Sequence, residues 1–107
     1  MSATVLRLYM HEGRRCHGSL LYDWLLDQAR RLGIEGGSAF RAVAGYGRHG
    51  ILAEQRFFEL AGELPVVTEF IVSAAQAEQL LELLRAEKVD LLYVRWSAET
   101  GTTVPSP

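Results

Sequence analysis

The residues of this chain best suited to chemistry form a short glycine-rich run, Gly45-Tyr46-Gly47-Arg48. Glycine lets a backbone approach a ligand closely, and successive free amide groups can form a nest that binds an anion. The guanidinium group of Arg48 adds a fork that suits a phosphate or a carboxylate. This run, together with Arg41 from the predicted strand before it, is our predicted site for a small anionic ligand. An ordinary turn is the alternative interpretation.

A second set of side chains carries metal-ligand atoms: His11, Cys16, His17 and His49. Histidine nitrogen and cysteine sulfur are usual ligands of zinc. Their spacing matches no standard zinc motif, and the alternative is a polar loop in which His17 helps to organise the start of a helix. We therefore predict no metal-binding residue and no cofactor.

Motifs of common enzyme classes are absent from the sequence. It contains no Gly-x-Ser-x-Gly elbow, no Walker sequence, no His-Glu-x-x-His motif and no dinucleotide fingerprint. Carboxylates spaced four residues apart, as at Glu78 and Glu82, fit the solvated face of a helix. We therefore name no catalytic residue and predict that the protein is not an enzyme.

The length and composition are those of one small globular domain, with 107 residues, 49% hydrophobic and 22% charged. The formal net charge is -2 and the basic residues are interspersed with acidic ones, so we predict no nucleic-acid partner. Cys16 is the single cysteine, which is typical of a reducing compartment. No apolar run suits a membrane span or a signal peptide, so we predict a cytoplasmic protein without membrane insertion.

Hydrophobic periodicity predicts the order of the elements. A period of two predicts strands at 4–11, 40–44, 66–72 and 90–96, and a helical period predicts helices at 19–32 and 74–87. Gly33 is expected to end the first helix, and Ser73 with Gln76 is expected to form a capping box on the second. The order β-α-β-β-α-β predicts an α+β, ferredoxin-like fold, in which one four-stranded antiparallel sheet carries two helices on one face. We predict a single domain at 1–98 and a flexible tail at 99–107.

The same alternation sorts the strand residues into two faces of the sheet. The face predicted to carry the helices comprises Leu6, Leu8, Met10, Phe40, Ala42, Ala44, Val66, Phe70, Val72, Leu92, Val94 and Trp96. The opposite face comprises Val5, Arg7, Tyr9, Arg41, Val43, Val67, Glu69, Ile71, Leu91, Tyr93 and Arg95. A sheet face that meets water is mostly polar, whereas this second face is mostly apolar, so we predict that the protein self-associates. Its arginines are expected to be solvated, to pair with Glu69, or to pair with carboxylates of a neighbouring subunit.

The order of short motifs along the chain resembles the P-II signal-transduction proteins. The similar segments are Gly33-Ile34-Glu35-Gly36-Gly37, Val43-Ala44-Gly45-Tyr46-Gly47-Arg48 and the strand that begins at Leu64-Pro65. The segments Leu6-Arg7-Leu8-Tyr9, His17-Gly18-Ser19-Leu20-Leu21-Tyr22 and Arg41-Ala42-Val43-Ala44-Gly45-Tyr46-Gly47 look closer still to a P-II-like family, domain of unknown function 190. The resemblance implies a homotrimer whose sheets face the three-fold axis. It also implies ligand clefts between subunits, at the base of a long segment called the T-loop.

This resemblance makes a P-II-like regulatory protein our leading functional hypothesis, with an adenine nucleotide as a candidate ligand. Phe57 and Phe58 lie in the long segment 46–63, either as anchors that dock on a partner such as a transporter or channel, or as core residues of a short strand. P-II proteins have a Gly- and Lys-rich phosphate loop before the last strand, but here 85–90 contains no glycine. The alternatives are a metal-binding trimer similar to copper-tolerance proteins and a small ferredoxin-like enzyme.

Overall fold

The computed structural model describes residues 1–45 and 64–105. Strand β1 (Ser2–His11) is long, and a short hairpin of β2 (Arg15–Cys16) and β3 (Ser19–Leu20) connects it to helix α1 (Leu21–Arg31). The described elements are β1 (Ser2–His11), β2 (Arg15–Cys16), β3 (Ser19–Leu20), α1 (Leu21–Arg31), β4 (Gly37–Arg41), β5 (Pro65–Val72), α2 (Ala74–Ala86) and β6 (Leu92–Glu99). The segment between β1 and α1, where the periodicity predicted no strand, therefore contains a short hairpin.

Four strands form one antiparallel sheet in the order β4-β5-β1-β6. This is the strand order of the split β-α-β arrangement, so the predicted α+β, ferredoxin-like fold is confirmed. Both helices contribute to one core with the buried residues of β1 and β5, which include the fully buried Leu6, Leu8 and Phe70. Among the described residues, no helix is long and apolar enough to cross a membrane.

Local sequence signals set the ends of both helices. Gly33 has a φ of +82°, in the left-handed region that favours glycine, directly after the C-cap of α1. At the start of α2, Ser73 Oγ accepts a hydrogen bond from the amide of Gln76 at 3.1 Å, and the Ser73 amide donates to Gln76 Oε1 at 3.0 Å. The predicted capping box is therefore confirmed. The buried face of α2 is also as predicted and consists of Ala77, Leu80, Leu81 and Leu84.

Strand β4 lies earlier in the chain than predicted, at Gly37–Arg41 rather than at 40–44. Its pairing with β5 places Gly37 opposite Phe70. A Cβ atom on Gly37 would lie 2.5 Å from Phe70 Cε1, so the aromatic ring occupies the space that a side chain would need. Gly37, which lies before the predicted strand at 40–44, is thus a strand residue, and the ring packs over its bare backbone.

The register of β4 and β6 reverses the two faces predicted for these strands. Phe40 pairs with Val67 and Val94 pairs with Arg7, so these residues point away from the helices, and Arg41 pairs with Val66 on the helix side. We define the open face as the side of the sheet opposite α1 and α2, comprising Val5, Arg7, Tyr9, Ser38, Phe40, Val67, Glu69, Ile71, Leu92, Val94 and Trp96. The prediction that Phe40, Leu92, Val94 and Trp96 carry the helices was wrong, as was the placement of Arg41, Leu91, Tyr93 and Arg95 on the opposite side. A shift of one residue moves every side chain of a strand to the other face.

Candidate functional site

Three parts of the chain meet at one end of the sheet: the end of β1, the residues that precede the segment 46–63 and the residues that follow it. The amide of Ala42, just after β4, donates to the carbonyl of Pro65 at 2.8 Å. The amide of Glu12, just after β1, donates to the carbonyl of Leu64 at 2.9 Å. These bonds hold the residues before and after 46–63 against the end of β1, and we call this place the loop base.

A two-point ion pair fixes the loop base. Arg41 Nη2 donates to Glu12 Oε1 at 2.8 Å, and Arg41 Nε lies 2.7 Å from Glu12 Oε2. The first contact is a hydrogen bond and the second is a charge contact only, because Glu12 Oε2 is buried without a hydrogen-bond partner among the described residues. The Glu12 side chain is 19% exposed and that of Arg41 is 62% exposed, so the guanidinium keeps an accessible edge. The sequence reasoning missed Glu12, whose only signal was its place directly after β1.

The structure places two of the predicted ligand-binding residues at the loop base. Arg41 ends β4, and Gly45 lies next to Pro65, where an added Cβ would be 3.6 Å from Pro65 Cγ. This is an ordinary contact distance, so the packing around Gly45 does not itself demand glycine. The remaining predicted ligand-binding residues, Tyr46, Gly47 and Arg48, and the predicted docking residues Phe57 and Phe58 lie outside the described residues.

The three arginines of the four-stranded sheet, Arg7, Arg41 and Arg95, have partners within this chain. Arg7 Nε lies 3.2 Å from Glu69 Oε1 on the open face, and this confirms for Arg7 the predicted pairing with Glu69. The guanidinium of Arg7 is also 5.4 Å from the centroid of the Trp96 ring. Arg95 donates to Glu78 of α2 at 2.7 Å. With Arg41 paired to Glu12, each of the three arginines is matched by a carboxylate of its own chain.

A second cluster of chemically active side chains lies where the β2–β3 hairpin contacts the end of α2. Cys16, His17 and Glu87 each offer one ligand atom, and these atoms all lie within 4.8 Å of one another. His17 Nε2 is 2.6 Å from Glu87 Oε2. Burial raises the pKa of the Cys16 thiol, and the Glu87 carboxylate raises it further. Sequence reasoning named Cys16 and His17 but missed Glu87, which lies 70 residues from His17 along the chain.

One shallow groove of about 450 Å³ lies elsewhere, between the end of α1 and the start of β4. Its lining includes Arg30, Glu35 and Phe70 but neither Arg41 nor Gly45. It is therefore separate from the loop base. His11 ends β1 and belongs to no group of metal-ligating side chains found among residues 1–45 and 64–105, whereas His49 lies outside the described residues.

Comparison with known proteins decides the family. Residues 3–100 match the DUF190 family, described as "Uncharacterized ACR, COG1993". The chain belongs to this family. The match confirms the resemblance seen in the sequence, and it leaves the function open because DUF190 is an uncharacterized family.

Two curated DUF190 relatives carry the name UPF0166. The chain is 33% identical over 98 residues to the UPF0166 protein of Aquifex aeolicus (strain VF5), covering 84% of this chain and 93% of the relative. It is 34% identical over 71 residues to UPF0166 protein MJ1524 of Methanocaldococcus jannaschii, covering 66% and 65%. The first of these alignments spans nearly the whole relative.

Among solved structures, the fold is similar to CPII, a nitrogen regulatory PII-like protein from Thiomonas intermedia K12. CPII was solved bound to ADP, AMP and bicarbonate. The TM-score is 0.63 at 18% identity, and the match covers 97% of this chain and 98% of CPII. At this level of identity the likeness shows a shared PII-like fold.

Proposed function

We propose that this DUF190 protein is a non-enzymatic, PII-like regulatory protein of the cytoplasm. In this proposal it binds a small anionic ligand, an adenine nucleotide, in clefts between the subunits of a homotrimer. The observation that most supports the proposal is the likeness of nearly the whole chain to CPII, a PII-like protein solved with ADP, AMP and bicarbonate.

The loop base supports a ligand site at this end of the sheet. Gly45 begins the run that continues with Tyr46, Gly47 and Arg48, and the two-point pair of Arg41 with Glu12 fixes the adjacent backbone. A rigid frame around a glycine-rich segment lowers the entropy that ligand binding must overcome. The accessible edge of Arg41 adds positive potential, which favours an anion.

The open face supports the homotrimer. Five of its large apolar side chains are exposed, with Ile71 at 59%, Phe40 at 54%, Leu92 at 49%, Val94 at 43% and Trp96 at 42%. The charges on this face, Arg7 and Glu69, are paired with each other, so covering them leaves no unpaired charge. In a trimer with its sheets turned to the three-fold axis, these side chains are buried between subunits.

The segment 46–63 is where we place the contact with a protein partner. Phe57 and Phe58 are adjacent aromatic residues of the type that anchors protein interfaces. A transporter or a channel is the partner class that the P-II resemblance suggests. Ligand binding at the loop base would then control which conformation the segment offers to the partner.

Ligand-dependent thermal unfolding tests the nucleotide proposal. Purified protein is heated with ADP, AMP, cyclic nucleotides or bicarbonate, alone and in combination. A ligand at a hundred times its dissociation constant stabilises the native state by about 2.7 kcal/mol, a shift of several degrees for a domain of this size. We expect such a shift with an adenine nucleotide, and we expect Arg48→Ala to abolish it.

The matched control is Arg31→Ala, which removes an exposed arginine in the last turn of α1, where it pairs with Asp27 rather than with a residue of the loop base. It should leave the ligand-induced shift unchanged. Absence of a shift with every nucleotide in the wild-type protein would overturn the nucleotide proposal, and an equal loss in both arginine variants would show that only the general charge matters.

A further inference from the structure

The cluster of Cys16, His17 and Glu87 is outside the loop base and has a chemistry of its own. It brings together a thiol, an imidazole and a carboxylate, whose ligand atoms are all within 4.8 Å of one another. The first two belong to the β2–β3 hairpin and the third to the C-cap of α2. The fold thus assembles three different metal-ligand types from two distant parts of the chain.

The backbone that presents these side chains is held in an unusual conformation. His17 and Gly18 form the two-residue turn of the hairpin, with φ values of 51° and 79°. Lys88, just after Glu87, also has a positive φ, of 56°. Left-handed residues other than glycine are uncommon, and they persist only where the surrounding structure imposes them.

Hydrogen bonds of neighbouring residues impose this arrangement. Arg15 Nη2 donates to the Gly18 carbonyl across the turn at 2.6 Å. Arg14 Nη1 donates to the carbonyl of Asp90 at 2.8 Å, which ties the hairpin to the segment that follows α2. Both sides of the cluster are therefore fixed relative to each other before any ion binds.

We propose that Cys16, His17 and Glu87 form a zinc-binding site. Thiolate, imidazole and carboxylate are all established zinc ligands, and three protein ligands leave a fourth position for water. A thiolate with an imidazole favours Zn²⁺ over Mg²⁺ or Ca²⁺, which prefer oxygen ligands only. The charges also balance, because one thiolate and one carboxylate neutralise one divalent cation.

The dimensions suit a four-coordinate ion after small side-chain rotations. Zinc–ligand bonds of roughly 2.0–2.3 Å place tetrahedral ligand atoms roughly 3.3–3.6 Å apart. His17 Nε2 and Glu87 Oε2, now 2.6 Å apart, would separate slightly, and the Cys16 sulfur would close in. The side chains of His17 and Glu87 are 58% and 33% exposed, so they have room to rotate and the bound ion can exchange with solvent.

Titration of the reduced, metal-free full chain with Co²⁺ and Zn²⁺ tests the site. Co²⁺ should produce a thiolate-to-cobalt charge-transfer band and the visible bands of a four-coordinate ion, at one equivalent per chain, and Zn²⁺ should displace it. Zn²⁺ should bind with a dissociation constant in the micromolar range or tighter. Cys16→Ser, His17→Asn and Glu87→Gln should each weaken binding at least about tenfold, since even residues that only support a ligand contribute about 10–100-fold.

The controls are matched to the ligands. Asparagine adopts the left-handed conformation readily, so His17→Asn preserves the hairpin turn. His11→Asn and Glu82→Gln remove the same chemical groups from the end of β1 and from the exposed side of α2, and they should leave zinc affinity unchanged. Far-ultraviolet circular dichroism of each variant checks the fold.

The fluorescence of Trp24 provides a second measurement of zinc binding, and it does not require substitution of Cys16, His17 or Glu87. Its ring centroid lies 5.7 Å from that of His17, so zinc binding should change its fluorescence. The chain has two tryptophans, and Trp96→Phe leaves Trp24 as the single reporter. Absence of the thiolate-to-cobalt band, binding that survives Cys16→Ser, or tighter binding of Mg²⁺ than of Zn²⁺ would each overturn the proposal.

Discussion

Gly37 shows how one residue controls the register of a strand. The Phe70 ring, 1% exposed, lies over its backbone, and Leu26 Cδ2 would be 3.1 Å from an added Cβ. Because only glycine leaves room for the ring, β4 pairs with β5 so that Gly37 is opposite Phe70. This pairing then turns Phe40 to the open face and Arg41 toward Glu12.

We predict that Gly37→Ala destabilises the protein by about 1–3 kcal/mol. The added Cβ would lie 2.5 Å and 2.7 Å from two atoms of a buried ring, and overpacking of a filled core costs about this much. Chemical denaturation measured by circular dichroism gives the free energy of unfolding.

The control for this prediction is the adjacent Gly36→Ala. No atom lies within 4 Å of a Cβ built there, and the residue is not in the left-handed region. Because the substitution only restricts the unfolded chain, it should be neutral or stabilise by up to about 1 kcal/mol. Equal effects at both positions would contradict the role assigned to the Phe70 ring.

At the scale of elements, charged pairs connect α2 to the neighbouring strand. Glu78 accepts hydrogen bonds from Arg95 of β6 at 2.7 Å and from Arg85 of the same helix at 3.4 Å. Arg95, with smaller contributions from Arg85, lowers the pKa of the Glu78 carboxyl below its ordinary value. The pairs are exposed, so their contribution to stability is small and depends on salt.

The lowered pKa of Glu78 predicts the sign of an acid effect. The Glu78 carboxyl binds its proton less tightly in the native state than in the unfolded state. The ion pair of Glu78 therefore stabilises the native state above the ordinary pKa of 4.5, and this stabilisation is lost as the pH falls through the lower native value. Glu78→Gln should therefore flatten the decline of stability below about pH 4.5. Denaturation curves from pH 6 to pH 3 at low salt measure this change.

Arg95→Met tests the same pair from its other side. It removes the main cause of the lowered pKa and should flatten the acid dependence in the same way, while the double variant should add nothing further. A decline as steep in both variants as in the wild type would contradict this assignment.

For the whole molecule, the open face is the feature that a single chain does not explain. Its exposed aromatic and aliphatic side chains surround one neutralised ion pair, and the described helices α1 and α2 lie on the other side of the sheet. Contiguous apolar surface of this kind marks interfaces. In the structure this face is more apolar than the sequence predicted, since Phe40, Val94 and Trp96 lie on it and Arg41 and Arg95 do not. Self-association stays a prediction.

We predict that the wild-type protein forms the proposed trimer and that Val94→Arg is a monomer. In the proposed trimer, the substitution would bring like charges of three subunits together on the buried open faces and leave them without partners. Analytical ultracentrifugation should give three times the chain mass of 11.9 kDa for the wild type and a single chain mass for the variant.

The control is Val104→Arg, the same change at a residue that is 76% exposed beyond the sheet. This variant should remain a trimer. A wild-type protein that sediments as a monomer would overturn the trimer proposal, and a trimer that survives Val94→Arg would exclude the open face as its interface.

The sequence by itself determined the two helices, the four strands of the main sheet and their order, but not the β2–β3 hairpin or the bounds of β4. Helical periodicity, Gly33 and the Ser73–Gln76 box are signals between residues that are close along the chain, and the structure confirms each of them. Since the strand order of a β-α-β-β-α-β chain is limited by short, right-handed connections, the fold followed as well. The family also followed, because its motifs are short and keep their order.

Only the tertiary structure decided which faces the strands present and which side chains form clusters. The register of β4 depends on the Phe70 ring, and that of β6 on its pairing with β1, neither of which alternation along one strand can show. Glu12 meets Arg41 across 29 positions, and Glu87 meets His17 across 70. Contacts between residues so distant along the chain arise from packing in three dimensions, so the charges of the loop base and the complete set of zinc ligands became visible only in the folded chain.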